Sequence, residues 1–123
     1  MPQDKVRIGI IGVGQIGKQH LDTYSKLNAV ELVAAADINQ TEVRRVGEHY
    51  DIPNTYTDFR KLLERDDLDA VDVCLHNNFH MPVAIAVLHA GKHVYCEKPM
   101  AGAYIDAKHM LDVAREAEKM IHI

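Results

Sequence analysis

Two short stretches of the sequence combine residue types at spacings that can do chemistry: Gly12-Val13-Gly14-Gln15-Ile16-Gly17, which spells GxGxxG, and Glu97-Lys98-Pro99. In the first, Gly12 permits a tight turn, and Gly14 lets the main chain approach a pyrophosphate with no Cβ in the way. Gly17 lets a following helix lie close on a sheet. Such a turn works only between a strand and a helix, because the unpaired N–H groups and dipole of the helix start are what favour a diphosphate. The alternative is a strand–helix turn that merely favours glycine. Asp37, twenty residues after Gly17, stands where a carboxylate can accept hydrogen bonds from the 2′- and 3′-hydroxyls of an adenosine ribose; otherwise it is a helix cap or a solvated strand end. In the ribose role it also selects the cofactor. Two like charges about 4 Å apart at an effective dielectric near 20 repel by roughly 4 kcal/mol before screening, which opposes a 2′-phosphate. Neither Ile38 nor Asn39 supplies a cation to offset this, and Arg44 and Arg45 lie a helical turn beyond. NAD is therefore expected over NADP. Lys98 can stabilise a developing alkoxide, or act as acid and base for a hydroxyl being oxidised, provided neighbours tune its pKa. In isolation it would read as an exposed lysine in a charged turn.

These groups need a scaffold that brings them to one edge, and the sequence pattern supplies it. Apolar runs of four to seven residues alternate with segments of helical period, the βαβα signature of a mostly parallel sheet. Val6 to Ile11 reads as the first strand. A helix follows from about Gln15 to Leu27, with Ile16, Leu21, Tyr24 and Leu27 near one face. Val30 to Ala36 is apolar apart from Glu31, as in a strand covered on both faces. Thr41 to Tyr50 has helical spacing and is broken by Pro53. Asn54 to Tyr56 suits a short edge strand, and Asp58 suits the N-cap of a helix burying Phe59, Leu62 and Leu63. Ala70 to Leu75 is the next strand. Pro82 fits the first turn of a helix that stops at Gly91. His93 to Cys96 is a strand, Ala103 to about Lys119 a long helix, and Met120 to Ile123 opens a last apolar run. The expected fold is a doubly wound parallel α/β sheet of the Rossmann type, with about six strands in the order 3-2-1-4-5-6 and the last one short. Ligands of such a sheet sit outside the carboxyl ends of its strands, which delivers Lys98 to the same edge as the glycine turn.

Composition narrows the remaining classes. A chain of 123 residues with 47% hydrophobic and 26% charged residues is one globular domain. The net charge of −4 argues against nucleic acid and anionic membrane surfaces as partners. No signal peptide is expected, because Met1 to Arg7 is polar and charged, and no apolar run approaches the roughly 20 residues needed to span a bilayer. Cys74 and Cys96 lack CxxC spacing and sit in apolar runs, so both are expected to be reduced and buried in a cytoplasmic protein. His76 and His80 stand four apart but have no third ligand at a recognisable spacing, and no metal is expected. His20 is expected to be a packed histidine rather than a catalyst. Asp66, Asp67, Asp69 and Asp72 are expected to be a solvated acidic surface around a turn.

The whole pattern resembles one family. Ile8 to Gly17 with His20, Glu31 to Asp37, Ile52-Pro53, Tyr56-Thr57-Asp58, Asp69 to Cys74, Asn77 with His80, and Ala90 to Pro99 together are similar to the N-terminal half of the Gfo/Idh/MocA oxidoreductases, relatives of glucose–fructose oxidoreductase and inositol dehydrogenase. The resemblance covers essentially the whole chain. It implies a Rossmann domain binding NAD(P), followed by an α/β domain that carries most substrate contacts and the oligomer interface. It implies hydride transfer at one carbon of a sugar, polyol or related hydroxyl compound. It makes Lys98 the match of the catalytic lysine, Glu97 and Pro99 the residues that place it against the nicotinamide, and Asn77 and His80 part of a loop lining the cofactor. With Gly12, Gly14, Gln15, Ile16, Gly17, Asp37 and Ile38, these residues form the expected dinucleotide site.

Three departures stand out. Leu75-His76-Asn77 replaces the family's Thr/Ser-Pro-Asn, which puts that loop's cofactor contacts in doubt. Asp51 stands where a glycine is expected, and Asp tolerates a left-handed conformation less well. The sequence ends at Ile123, so the second domain that the resemblance implies, with the histidine and acidic residue that partner the lysine, is expected to lie outside it. The chain is therefore expected to be the cofactor-binding half of an oxidoreductase, able to bind NAD, catalytically incompetent alone, and prone to self-association through uncovered surface. One other class stays open, a stand-alone non-catalytic NAD- or CoA-sensing module, which would not require Glu97-Lys98-Pro99; a methyltransferase is a weaker third idea, disfavoured by Gly17 and Lys98.

Overall fold

The computed structural model describes residues 5–75, 77–96 and 121–122, of which 77–81, 96, 121 and 122 are described by their backbone alone. Strands β1 (Val6–Ile11), β2 (Val30–Ala36), β3 (Asn54–Tyr56), β4 (Ala70–Val73), β5 (His93–Cys96) and β6 (Ile121–His122) form one sheet. Its order is β3-β2-β1-β4-β5-β6, and all neighbours run parallel. This is the doubly wound arrangement that the alternating pattern predicts. Helices α1 (Gln15–Ser25), α2 (Gln40–His49), α3 (Phe59–Leu63) and α4 (Asn77–His89) connect the strands. The expected helix from Ala103 to Lys119 lies outside the described residues. No helix among the described residues is long and apolar enough to cross a membrane.

Alternation along the central strands divides the core between the two faces. Ile10 and Ala35 pack with Leu21 of α1 and Val43 and Val46 of α2 on one face. Ile11, Ala34, Val71 and Val73 pack with Leu62 of α3 and Val83, Val87 and Leu88 of α4 on the other. Asp58 caps α3, its carboxylate accepting the Arg60 N–H at 3.0 Å. Asn39 caps α2 in the same way from the Glu42 N–H at 3.1 Å. Gly91 ends α4 with φ +79°, donating to Leu88 O at 2.9 Å while the Lys92 N–H reaches back to Val87 O at 3.3 Å, the paired bonds of a Schellman motif.

Four local expectations are corrected. Ile16 and Leu27 do not face inward; they are 45% and 47% exposed. Ile16 lies five residues before Leu21, which at 3.6 residues per turn is well off its face, and Leu27 follows the end of the helix. Pro82 does not open α4; the helix begins at Asn77, so the proline falls just past the first turn and costs one intrahelical bond. Cys74 is half-buried rather than buried; the side chain of Cys96 lies outside the described residues. Asp72 is not part of a solvated acidic surface, since it is only 1% exposed. It occupies the middle of β4, where strand alternation turns it toward α1.

Candidate dinucleotide site at the carboxyl edge of the sheet

The strands set the register of the site. Ile11 pairs with Ala36 on one side and Val73 on the other, and Val73 pairs with Cys96. The carboxyl ends of β2, β1, β4 and β5 therefore form one row. The glycine turn leaves β1 at this row. Gly12 has φ +95° and its N–H donates to Ala36 O at 2.8 Å. A Cβ on Gly12 would lie 2.4 Å from Cys74 O, and one on Gly17 would lie 2.2 Å from Gly12 O. Both contacts are with backbone, so neither neighbour can swing aside. Gly14 is different: a Cβ there would meet nothing within 4 Å. It is the N-cap of α1, with no side-chain cap and no acidic residue in the first turn. The opening N–H groups of an 11-residue helix are thus left to an external acceptor, beside a glycine with open space above it. Gln15 and Ile16 flank this opening and are exposed.

Asp37 follows β2 and is half-buried. Its Oδ2 accepts the Val13 N–H at 2.8 Å, and its Oδ1 accepts the Asn39 N–H at 2.8 Å. The carboxylate thus ties the glycine turn to the loop before α2. Spacing alone does not reveal this anchoring bond; it marks Asp37 only as a candidate ribose acceptor. Each oxygen retains lone-pair capacity for a further donor. Ile38 beside it is 93% exposed. Asn77 and His80 begin α4 next to the end of β4, but their side chains lie outside the described residues, as do His76, Glu97, Lys98 and Pro99.

A polar cluster that the sequence did not reveal lies behind the turn. Asp72 Oδ2 is 2.6 Å from His20 Nδ1 and accepts the Tyr24 hydroxyl at 2.6 Å; its Oδ1 accepts the Cys74 thiol at 3.2 Å. His20 Nδ1 also lies 3.3 Å from Cys74 Sγ. Burial, with the Asp72 charge next in weight, pushes the Tyr24 phenol well above its ordinary range, so it acts as a donor. His20 packs edge-on against Tyr24 and Tyr95, with ring centroids 6.3 and 5.6 Å apart. The four polar groups come from α1 and from the β4 end, with His20 and Asp72 separated by 52 positions in sequence, and no local motif announces them.

Comparison with known proteins adds to this geometry. Residues 6–123 match the model of the Gfo/Idh/MocA oxidoreductase family, NAD-binding Rossmann fold. The chain is 33% identical over 116 residues to a myo-inositol 2-dehydrogenase of Thermotoga maritima, covering 94% of this chain and 35% of that protein. It is 35% identical over 125 residues to a glycosyl hydrolase family 109 protein of Shewanella putrefaciens, covering 94% of this chain and 27% of that protein. Among solved structures, scyllo-inositol dehydrogenase from Lactobacillus casei with bound NAD(H) and scyllo-inositol superposes with a TM-score of 0.90 at 26% identity, covering 97% of this chain and 36% of that one. The chain thus spans about a third of the length of these proteins.

Proposed function

The chain belongs to the Gfo/Idh/MocA oxidoreductase family, and we propose that it is the cofactor-binding part of an enzyme moving hydride between NAD and a hydroxyl carbon of a sugar, polyol or related compound. The observation that carries this is the open N-terminus of α1. Gly14 leaves room above uncapped N–H groups, and Gly12 and Gly17 are pressed into contacts that no side chain tolerates. A diphosphate is the ligand such an opening fits. Gly12, Gly14, Gln15, Ile16 and Gly17 would hold the pyrophosphate, and Asp37 with Ile38 the adenosine. Asn77, His80, Glu97, Lys98 and Pro99 would surround the nicotinamide, which supplies the hydride acceptor when bound. Lys98 would hold and pass the proton of the reacting hydroxyl. Its assignment rests on the family motif and on β5 ending in the same row as β1. We further propose that a second, substrate-binding domain completes the pocket, so that the chain alone binds NAD without sustained turnover and associates with itself through the surface that domain would cover. A cytoplasmic setting fits this chemistry.

The preference for NAD over NADP rests on Asp37. Calorimetry on the chain should give NAD at least ten-fold tighter than NADP, about 1.4 kcal/mol, with Asp37→Ser narrowing the ratio. NADP binding as tightly as NAD would remove the discriminating role of Asp37, and binding of neither would remove the proposal. For catalysis, the chain joined to the remaining two-thirds of an inositol dehydrogenase should reduce NAD, and Lys98→Met should abolish this while leaving NAD affinity intact. A second reading keeps the dinucleotide and changes the net reaction. The likeness to a glycosyl hydrolase favours a glycoside whose hydroxyl is oxidised to a carbonyl, whose aglycone then leaves as an alcohol by elimination and is replaced by water, and whose carbonyl is reduced again, giving hydrolysis with no net change in NAD. Release of free sugar without accumulation of NADH is its signature.

A further inference from the structure

The His20, Asp72 and Cys74 cluster lies outside the proposed dinucleotide contacts and offers three donors of different chemistry at one point. We propose that these residues bind one divalent transition-metal ion of the zinc class. Each residue presents one ligand atom, and all three atoms lie within 4.8 Å of one another. The scaffold explains why. Asp72 and Cys74 are two apart at the end of β4, so they project to the same face of the sheet. His20 comes down onto them from α1. Tetrahedral donors around zinc, at about 2.3 Å for sulfur and about 2.0–2.2 Å for nitrogen and oxygen, lie roughly 3.3–3.6 Å apart. The sulfur–nitrogen distance is already 3.3 Å and the sulfur–carboxylate distance 3.2 Å. The ligand oxygen is then Asp72 Oδ1, the one beside the sulfur, and His20 has to exchange its 2.6 Å contact with Oδ2 for the ion.

Charge and donor type point the same way. A dication held by the Asp72 carboxylate and a Cys74 thiolate is neutralised in place, which a site this buried requires. Binding releases the thiol proton, and the neutral imidazole adds no charge. A thiolate with an imidazole selects zinc or cobalt over magnesium or calcium, which want oxygen donors. Tyr24, one helical turn from His20, holds Asp72 Oδ2 at 2.6 Å, which leaves Oδ1 for the ion and would orient that ligand from outside, as the outer partners of metal ligands do. His20 keeps 16% of its side-chain surface exposed, so the cluster is not sealed from solvent. The ion would cross-link α1 to β4 beside the peptide of Cys74 that bears on Gly12.

The test is equilibrium dialysis and absorption spectroscopy of the chain with cobalt(II) chloride, followed by displacement with zinc. The expected result is one equivalent per chain, with a thiolate-to-cobalt charge-transfer band that zinc abolishes. Cys74→Ala should lose the band, Asp72→Asn should weaken binding at least ten-fold, and Tyr24→Phe should weaken it by about ten-fold. His49→Ala, an exposed histidine elsewhere, should change nothing. Circular dichroism establishes that each variant is folded; should Cys74→Ala fail to fold, Cys74→Ser replaces it, since a hydroxyl keeps the hydrogen bonds and is a poor zinc ligand. Absence of the charge-transfer band, or an unchanged band and affinity in the folded Cys74 variant, overturns the proposal.

Discussion

The glycine turn allows stability and ligand binding to be separated by two substitutions three residues apart. A Cβ at Gly17 would stand 2.2 Å from Gly12 O and 3.1 Å from Gly12 C, whereas ordinary contact begins at 3.4 Å. Relief needs a shift of about 1.2 Å, and the obstructing atoms are backbone held on both sides, by the Gly12 N–H bond to Ala36 O and by the Cys74 N–H bond to Ile11 O, each 2.8 Å. Helix α1 must therefore move off the turn. Overpacking of this kind costs about 2–3 kcal/mol, which in a domain of this size lowers Tm by about 8–12 °C. At Gly14 the added methyl meets nothing, and the backbone there, φ −70° and ψ −159°, suits any residue. The cost is that of a poorer N-cap, less than about 1 kcal/mol. The same methyl would occupy the space where a pyrophosphate approaches. Thermal melts and NAD calorimetry on both variants should show Gly17→Ala losing stability and affinity together, and Gly14→Ala losing affinity at least ten-fold with Tm nearly unchanged. A Gly17→Ala chain melting within about 2 °C of wild type would refute the packing argument. A Gly14→Ala chain binding NAD as tightly as wild type would refute the phosphate argument.

Three further outcomes are expected. Asp72→Ala removes the acceptor shared by His20, Tyr24 and Cys74 and should cost about 2–3 kcal/mol in urea unfolding, with Asp72→Asn recovering part of it; a loss below about 0.5 kcal/mol for the alanine variant would show that water replaces the cluster at no cost. Asp69, bonded to the Arg7 side chain and N–H, is held below its ordinary pKa chiefly by that side-chain bond. Its contribution is complete above the unfolded carboxylate value of about 4 and is lost as pH falls through the lower folded value, so Asp69→Asn should flatten the acid limb of stability measured between about pH 5 and 2. Asp51 holds φ +55°, and Asp51→Gly should raise stability by about 0.5–1 kcal/mol in thermal melts by removing left-handed strain; a destabilised variant would mean that unfolded-chain entropy outweighs the strain.

The strand order, the turn and Asp37 were legible because each leaves a local trace. Glycine at three fixed offsets, an apolar strand before it and an acid at the end of the next strand are all read within one βαβ unit. The boundaries and inward faces were read less well where periodicity is short. Ile16 is apolar for a reason the helix core does not supply, and Pro82 is admitted inside α4 because only one bond is lost there. Asp72 was misread because four acids in seven positions look like a solvated run. Alternation in β4 sends Val71 and Val73 to the α3–α4 face and Asp72 to the α1 face, where its partners arrive from a helix far upstream. Pattern reading sees the donors at positions 20, 24 and 74 and the acceptor at 72 only as separate residues. Packing makes them one group.

That group also explains how the turn is kept ready. The loop from Gly12 to Gly14 carries no regular ladder of its own, yet its conformation is fixed from three directions. Ala36 O takes the Gly12 N–H, Asp37 takes the Val13 N–H, and the peptide of Cys74 abuts Gly12 so closely that only a glycine fits. Two of these props come from the end of β2 and one from the end of β4, and Cys74 is held in turn through its thiol to Asp72 and His20. A ligand meeting this turn finds the uncapped N–H groups that follow it in α1 already oriented, so little ordering entropy is deducted from the affinity. Loosening any prop should therefore weaken diphosphate binding even where the residue never touches the ligand, and buried Asp72, which holds the Cys74 thiol, is a residue from which that coupling acts.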